Sequence, residues 1–271
     1  MGERDKGGAD FGREKRKVNR PVHQEIRIIG VTGIPEITSG DNLGYIISNA
    51  IKHQSLDLSA NDILVVAQKI VSKAEGKTLR LDHISPSTMA QEWARAYDKD
   101  PRVVEAALKE SVRIVRMDRG VLISETRHGF VCANAGVDTS NVADGYVTLL
   151  PDDPDESAVR LRQFLKDELG IDIAVIVSDT FGRPWREGLV NVALGVAGLE
   201  PLIDLRGKPD WKGQPLKVTV MAIADELASA AELVMSKAAG LPVALIRGYD
   251  YQRGESSARS LIRAPEADLF R

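Results

Sequence analysis

The chain of 271 residues contains a single cysteine, Cys132. One thiol cannot form a disulfide within the chain, so the sequence predicts a reducing, cytoplasmic location. Cys132 lies among apolar and small residues in GFVCANAG, which favours a packed core thiol over a reactive nucleophile. No apolar run approaches the roughly 18 residues that a membrane-spanning helix needs, so we expect no membrane partner.

Neither sign of charge is in large excess. The 36 basic and 39 acidic side chains give a formal net charge of −3, whereas nucleic-acid-binding proteins usually show a basic footprint, so we expect no nucleic-acid partner. Common nucleotide and metal signatures are also missing. The sequence has no GxxxxGK[ST] phosphate loop and no glycine-rich dinucleotide fingerprint, and its four histidines show no metal-ligand spacing.

The chain divides into two parts. Residues 1–20 are charged and lack the apolar stretch of a signal peptide, which predicts a flexible charged tail. Residues 21–271 contain no internal repeat or low-complexity linker. We therefore predict one folded domain over this range.

Apolar periodicity predicts an α+β fold with mixed and antiparallel sheets and packed helices. A helix is expected within 39–54, capped by Asp41 or Asn42. Further helices are predicted at 85–98, 101–111, 154–169, 188–199 and 226–238. Strands are predicted at 25–31, 63–67, 112–117, 120–126, 128–134, 173–178, 216–224 and 242–247. The three strands between 112 and 134 are expected to form an antiparallel meander, and 68–77 is expected to be a polar loop.

Two acidic segments carry the chemistry. The apolar strand VIV ends at Ser178, Asp179 and Thr180, and the segment AGVDTSNV supplies Asp138 about forty positions earlier. Carboxylate and hydroxyl oxygens suit Mg²⁺ or Mn²⁺, so Asp138, Asp179 and Thr180 are candidate metal ligands. The alternative is that DTSN and SDT are ordinary turns at strand ends.

Basic side chains near these segments are candidate anion ligands. Arg183 and Arg186 follow Asp179 within a turn that contains glycine and proline, and each guanidinium could bind a phosphate or carboxylate through paired hydrogen bonds. Lysines also follow the strand at 63–67, among them Lys69 and Lys73, and could neutralise phosphate charge. For both groups a solvated surface remains the alternative.

Several motifs in one order resemble the coenzyme F420-0:L-glutamate ligase family, also called F420-0:gamma-glutamyl ligase. They are GIPEI at 33–37, VSKAEGK at 71–77, AGVDTSNV at 135–142, SDTFGRPWREG at 178–188, DLRGKPD at 204–210, IADELASAAELVM at 223–235 and IRGYDY at 246–251. The C-terminal SSARSLIRAPEADLFR is similar as well. The resemblance runs from about residue 25 to the end.

The resemblance implies a GTP-dependent ligase of coenzyme F420 biosynthesis that adds L-glutamate to the deazaflavin precursor F420-0 and then gamma-linked glutamates. It implies GTP as co-substrate, Mg²⁺ or Mn²⁺, K⁺ as a further candidate, and an intertwined homodimer. Asp138, Asp179 and Thr180 would bind the metal, and Arg183 and Arg186 would orient phosphate or carboxylate. The implied nucleotide pocket comprises Ile34, Pro35, Glu36, Ile37, Gln68, Lys73, Asn141 and Lys237.

One position departs from the family pattern. Many archaeal members carry Met-Gly-Gln after the helix at 223–235, where this chain has Met235-Ser236-Lys237. A lysine ammonium cannot ligate a cation but can contact a phosphate, so we expect an altered metal arrangement here. Two rival functions remain open: a metal-dependent GTP hydrolase or phosphotransferase, and a nucleotide-sensing dimer without catalysis.

Overall fold

The computed structural model describes residues 25–268, and this range contains twelve strands and six α-helices. The strands are β1 (Arg27–Gly30), β2 (Ile63–Ala67), β3 (Thr78–Arg80), β4 (Ser111–Asp118), β5 (Val121–Thr126), β6 (Val131–Ala133), β7 (Tyr146–Thr148), β8 (Ala174–Arg183), β9 (Arg186–Ala197), β10 (Ile203–Asp204), β11 (Val220–Met221) and β12 (Val243–Arg247). The helices are α1 (Leu43–His53), α2 (Gln68–Ala74), α3 (Thr88–Tyr97), α4 (Pro101–Lys109), α5 (Pro154–Leu169) and α6 (Ile223–Met235).

A five-stranded mixed sheet in the order β1-β12-β2-β8-β9 organises the fold. Only β2 and β8 run parallel, and the other neighbouring pairs are antiparallel. The strands β2 and β12 are almost entirely buried, as expected for strands covered on both faces. The predicted α+β class with mixed and antiparallel sheets is confirmed. The predicted intertwined homodimer stays a prediction.

Apolar side chains alternate between the two faces of this sheet. Leu64, Val66 and Val175 belong to one buried cluster with residues of α1, α2 and α5. Val65 and Ile176 belong to a second cluster that includes the apolar face of α6. The result is a helix–sheet–helix layering in which each strand residue faces one helical layer.

A smaller lobe carries the antiparallel meander β4-β5-β6 predicted from the sequence. Its core contains Leu122 together with Ala106 and Ala107 of α4. A separate ladder pairs β3 with β7 through Thr78 and Thr148. Thr148 of this ladder also forms an isolated antiparallel bridge with Asp138, and this bridge fixes the position of the first acidic segment.

Two helix-start predictions can be compared with the structure directly. Asn42, one of the two proposed caps, accepts a hydrogen bond from the backbone N–H of Tyr45 at 3.0 Å. Asp41 instead accepts from the N–H of Thr38 at 2.7 Å. The helix predicted at 154–169 is confirmed as α5, with the side chain of Asp153 capping its start.

The helix predicted at 188–199 is wrong, because this segment belongs to strand β9. Val190, Val192 and Val196 supply the β-branched side chains that favour a strand. Gly195 lies against the start of α5, where an added Cβ would be 2.1 Å from the Pro154 carbonyl oxygen. Gly195 therefore marks a close backbone approach between strand β9 and helix α5.

Two further element predictions are corrected. The expected polar loop at 68–77 begins with the short helix α2, because Ile70 and Val71 bury their side chains in the core. The expected strand at 216–224 is reduced to the two residues of β11, and Val218 is exposed. The predicted tail at 1–20 lies outside the described residues. None of the helices in 25–268 is both long and apolar enough to cross a bilayer.

Candidate active site

A cavity of about 280 Å³ lies where the parallel pairing of β2 with β8 ends, at Ala67 and Ser178. We call it the strand-end cavity. Ligands commonly bind at this end of parallel strands, and the volume is near the lower limit for small-molecule sites, about 300 Å³. The predicted site residues that line it are Ile34, Pro35, Glu36, Ile37, Gln68, Lys73, Asp138, Asn141, Asp179, Thr180 and Lys237.

Backbone pairing and side-chain hydrogen bonds fix Asp138. Its N–H donates to the Thr148 carbonyl at 3.1 Å and its carbonyl accepts from the Thr148 N–H at 2.9 Å. The carboxylate accepts from the Ser140 N–H at 2.7 Å and from the Lys69 ammonium at 2.7 Å. Burial alone would raise the pKa of Asp138, but these hydrogen bonds hold it below its ordinary value.

Asp179 has the opposite electrostatic environment. Burial, followed by the neighbouring charge of Asp138, raises the pKa of Asp179 to about 6, against the opposing effects of the Thr180 N–H, Lys69 and Lys237. The two acidic segments, 41 positions apart in sequence, therefore meet closely enough for their charges to interact. A cation bound between the two carboxylates would offset the repulsion between their negative charges.

Thr180 reaches the cavity from the other side of β8. Its hydroxyl donates to the Asn191 side-chain oxygen at 2.8 Å, and the Asn191 amide nitrogen donates to Glu232 at 3.0 Å. Asn191 is on β9 and Glu232 is on α6, and both line the same cavity. The hydroxyl of Thr180 is thus held by residues from two neighbouring elements.

Basic side chains bring positive charge to the cavity wall. Lys73 is almost buried and its ammonium lies 2.5 Å from the Glu36 carboxylate. Lys69 contacts Asp138, and Lys237 lies just beyond the end of α6. Lysines opposite carboxylates are suited to a metal-bound phosphate, since Lys69 and Lys73 can exchange their carboxylate partners for phosphate oxygens.

Two polar side chains of the cavity, Gln68 and Ser178, differ in how many of their hydrogen-bonding groups have a partner. The Gln68 amide nitrogen already donates to Ser72 at 2.7 Å and to the Leu149 carbonyl at 3.0 Å, so only its oxygen remains for a ligand. Ser178 borders the cavity, and its hydroxyl is buried without a hydrogen-bond partner among residues 25–268. A buried unpaired hydroxyl is costly, which is consistent with a polar ligand beside it.

Arg183 and Arg186 do not line the cavity. They pair with each other at the tip of the β8–β9 hairpin, four or more residues beyond Asp179, which is roughly 13 Å along a strand. The Arg183 guanidinium donates to the Glu187 carbonyl at 2.5 Å, and Arg186 is exposed. Within one chain the structure does not bring these predicted anion ligands to Asp138 and Asp179.

The donors present fit a hard divalent cation. The two carboxylates and the Thr180 hydroxyl are oxygen ligands of the kind that Mg²⁺ and Mn²⁺ prefer. Within residues 25–268 no cluster of three or more histidine, cysteine or acidic side chains forms a complete metal site. A bound cation would therefore take the rest of its ligands from hydroxyls, water or a substrate phosphate.

Cys132 lies beneath this site as a core residue. Its side chain is buried, and burial, followed by the charge of Asp179, raises the pKa of Cys132 to about 12. A thiol with this pKa stays protonated at neutral pH and is a poor nucleophile. The core interpretation of this residue therefore agrees with its surroundings.

The cavity residues to which the sequence assigns no specific role include Lys69, Asn191 and Glu232. In the sequence Lys69 is one of several lysines after the strand at 63–67, and only the structure shows that it contacts Asp138. Asn191 was placed in an expected helix, which hid its position opposite Thr180 on β9. Glu232 lies on a predicted helix, and nothing in the neighbouring sequence distinguishes it from a carboxylate on the surface.

An α+β protein with carboxylates and ammonium groups in a cavity at strand ends has the architecture of a small-molecule enzyme. The chain matches the family model described as F420-0:Gamma-glutamyl ligase over residues 32–248. It belongs to this family and is an enzyme of the ligase class, as the sequence motifs indicated.

Curated relatives match nearly the whole chain. The coenzyme F420:L-glutamate ligase of Methanothermobacter thermautotrophicus is 49% identical over 249 residues, covering 91% of this chain and 99% of the relative. The protein of the same name from Methanopyrus kandleri is 46% identical, covering 87% and 94%. That from Methanocaldococcus jannaschii is 42% identical, covering 96% and 99%.

Proposed function

We propose that this protein joins L-glutamate to F420-0 in coenzyme F420 biosynthesis, using GTP and Mg²⁺ or Mn²⁺. The observation that supports this proposal most strongly is the meeting of Asp138 and Asp179 in one cavity with Lys69, Lys73 and Lys237 on its wall. Carboxylates that hold a cation, together with nearby ammonium groups, form the kind of site that handles a nucleotide triphosphate.

The chemistry must overcome the low electrophilicity of a carboxylate. In the proposed first step, an oxygen of the F420-0 carboxylate attacks the γ-phosphorus of GTP, the bond to the β-phosphate oxygen breaks, and GDP and an acyl phosphate form. The neutral amine of glutamate then attacks the acyl carbon. The carbon–oxygen bond to phosphate breaks, the nitrogen loses a proton, and an amide and inorganic phosphate result.

The residues of the cavity have separate roles in this proposal. Asp138, Asp179 and Thr180 would hold the divalent cation, which when bound neutralises phosphate charge during transfer. Lys73 and Lys237 would contact phosphate oxygens, and Asn141 with the loop 34–37 would border the nucleotide. Preorganised charges of this kind commonly contribute several kcal/mol to transition-state stabilisation, on the order of 3 for one donor.

Arg183 and Arg186 need a different explanation from the cavity residues. Their place at the hairpin tip leaves them available to a second substrate at the cavity opening or to the partner subunit of the expected homodimer. The homodimer and a cytoplasmic location are parts of the proposal. Size-exclusion chromatography with light scattering tests the dimer directly, because a monomeric mass would remove the partner subunit from the account.

Mass spectrometry of the products tests the proposed function. F420-0 incubated with enzyme, GTP, L-glutamate and Mn²⁺ should gain glutamyl mass increments, and F420-0 whose carboxylate carries ¹⁸O should transfer one ¹⁸O to phosphate. Release of GDP at the full rate without glutamate would instead indicate a GTP hydrolase. GTP binding without any product would overturn the ligase proposal, and omission of K⁺ tests that cation separately.

A further inference from the structure

A chain of hydrogen bonds connects helix α6 to the strand that carries Thr180. Glu232 on α6 accepts from the Asn191 amide nitrogen at 3.0 Å, and the Asn191 side-chain oxygen accepts from the Thr180 hydroxyl at 2.8 Å. Asn191 is buried, and its backbone carbonyl accepts a further hydrogen bond from the Ser229 hydroxyl at 2.7 Å. Helix α6 therefore anchors both the backbone and the side chain of this residue.

Elementary hydrogen-bond chemistry sets the direction of the chain. An ionised carboxylate only accepts hydrogen bonds, so Glu232 requires the NH₂ group of Asn191 to face it. The amide oxygen of Asn191 must then face Thr180, and an amide oxygen can only accept. The single hydroxyl proton of Thr180 is consequently committed to Asn191, and its oxygen lone pairs remain free for another partner.

Those lone pairs belong to a residue of the strand-end cavity. Thr180 lines the cavity next to Asp179, and a cation ligand must present lone pairs without a proton between oxygen and metal. We propose that Asn191 and Glu232 are positioning residues that keep the Thr180 hydroxyl oriented as a cation ligand. This inference rests on the proposed function, because it assumes that Thr180 contacts the divalent ion.

The proposal explains why a carboxylate stands at this point of α6. If Glu232 were neutral glutamine, its amide could donate to the Asn191 oxygen, and the Asn191 side chain could turn its NH₂ group toward Thr180. The Thr180 hydroxyl would then accept from Asn191, and its proton would be released toward the cavity. A hydroxyl in this orientation opposes a cation and favours an anion instead.

Direct binding of Mn²⁺, measured by electron paramagnetic resonance in the absence of substrates, tests the proposal without relying on turnover. Glu232→Gln should weaken Mn²⁺ binding by about 10- to 100-fold, the usual effect of removing a group that orients a metal ligand. Thr180→Val removes the hydroxyl and should weaken binding as well. Asp138 and Asp179 remain in both variants, so binding should still be measurable at millimolar Mn²⁺.

The double variant separates orientation from simple loss of charge. If Glu232 acts through Thr180, Glu232→Gln should have little further effect once the hydroxyl is absent. If Glu232 acts only by its negative charge, the same fold-loss should appear in the Thr180→Val background, and the proposal would be overturned. Equal Mn²⁺ affinity in wild type and Glu232→Gln would also overturn it.

The arms of this experiment distinguish the inference from the function on which it rests. Wild-type protein that binds no Mn²⁺ would contradict the proposed metal site itself, and the inference with it. Near-ultraviolet circular dichroism checks that each variant is folded. Should Glu232→Gln fail to fold, Asn191→Ser provides the second test, since its shorter side chain cannot bridge Thr180 and Glu232. Asn191→Ser should lower the Mn²⁺ affinity when it is introduced into the wild-type protein. It should leave the affinity unchanged when it is introduced into Thr180→Val.

Discussion

Replacing Asp179 with asparagine measures the electrostatic strain in the metal-free cavity. Because the pKa of Asp179 is raised from 3.8 to about 6 in the folded protein, folding favours its protonated form. The favourable contribution is present below about pH 4 and is lost as the pH rises through 6. Above that range the folded protein carries an ionised carboxylate that the unfolded chain would solvate better.

The size of the effect follows from the two pKa values. Ionisation of Asp179 lowers the free energy of unfolding by about 2 kcal/mol at pH 5 and about 3 kcal/mol at pH 8. Asparagine does not titrate, so the stability of Asp179→Asn relative to wild type should rise by about 1 kcal/mol between these two pH values. The pH-dependent part is the prediction, since the amide also changes local hydrogen bonds.

Urea unfolding of chelator-treated protein at pH 5 and pH 8 provides the measurement. Asp167→Asn is a matched control, because it removes a carboxylate from the exposed face of α5. Adding Mn²⁺ at pH 8 should stabilise wild type and leave Asp179→Asn nearly unchanged, and the variant should lose most turnover. A stability difference that is the same at both pH values would refute the reasoning about Asp179.

Two other changes have defined outcomes. Gly195→Ala should destabilise the protein by about 3 kcal/mol or more, because the new Cβ would lie 2.1 Å from the Pro154 carbonyl oxygen. Thermal unfolding measures this effect, with Gly182→Ala as the near-neutral control because its nearest contact would be at 4.0 Å. Equal melting temperatures of the two variants would refute the packing argument. If Arg186 contacts a second substrate or the partner subunit, Arg186→Ala should raise the KM for glutamate or slow phosphate transfer while leaving Mn²⁺ affinity unchanged. Unaltered steady-state constants would show that Arg186 has neither role.

Local sequence signals predicted much of the fold correctly. Helices α3, α4 and α5 lie within or close to the predicted ranges, and in the structure Ser87, Asp100 and Asp153 cap their starts. The meander has the short polar turns that the sequence indicates. The helix prediction at 188–199 is wrong because small residues such as glycine and alanine allow close packing in a strand as well as in a helix. Gly195 lies against Pro154 of α5, a contact that joins residues 41 positions apart and is invisible to local periodicity.

The site was predictable where side-chain chemistry is unusual and unpredictable where it is ordinary. Asp138 and Asp179 are acidic residues in polar segments of the sequence that follow apolar runs, and both line one cavity in the structure. Lys69, Asn191 and Glu232 belong to common residue types, and only the tertiary fold reveals their partners. Arg183 and Arg186 show the converse, since closeness in sequence to Asp179 becomes a long separation when the chain between them is an extended strand.

The central claim is that Asp138 and Asp179 share one divalent cation at the terminal phosphate of GTP. Anomalous X-ray diffraction from crystals grown with Mn²⁺ and a non-hydrolysable GTP analogue tests it most directly. The account predicts a manganese peak within bonding distance of both carboxylates and of a phosphate oxygen, with Thr180 as a further ligand. A peak bound to only one aspartate, or a nucleotide outside the strand-end cavity, would contradict it.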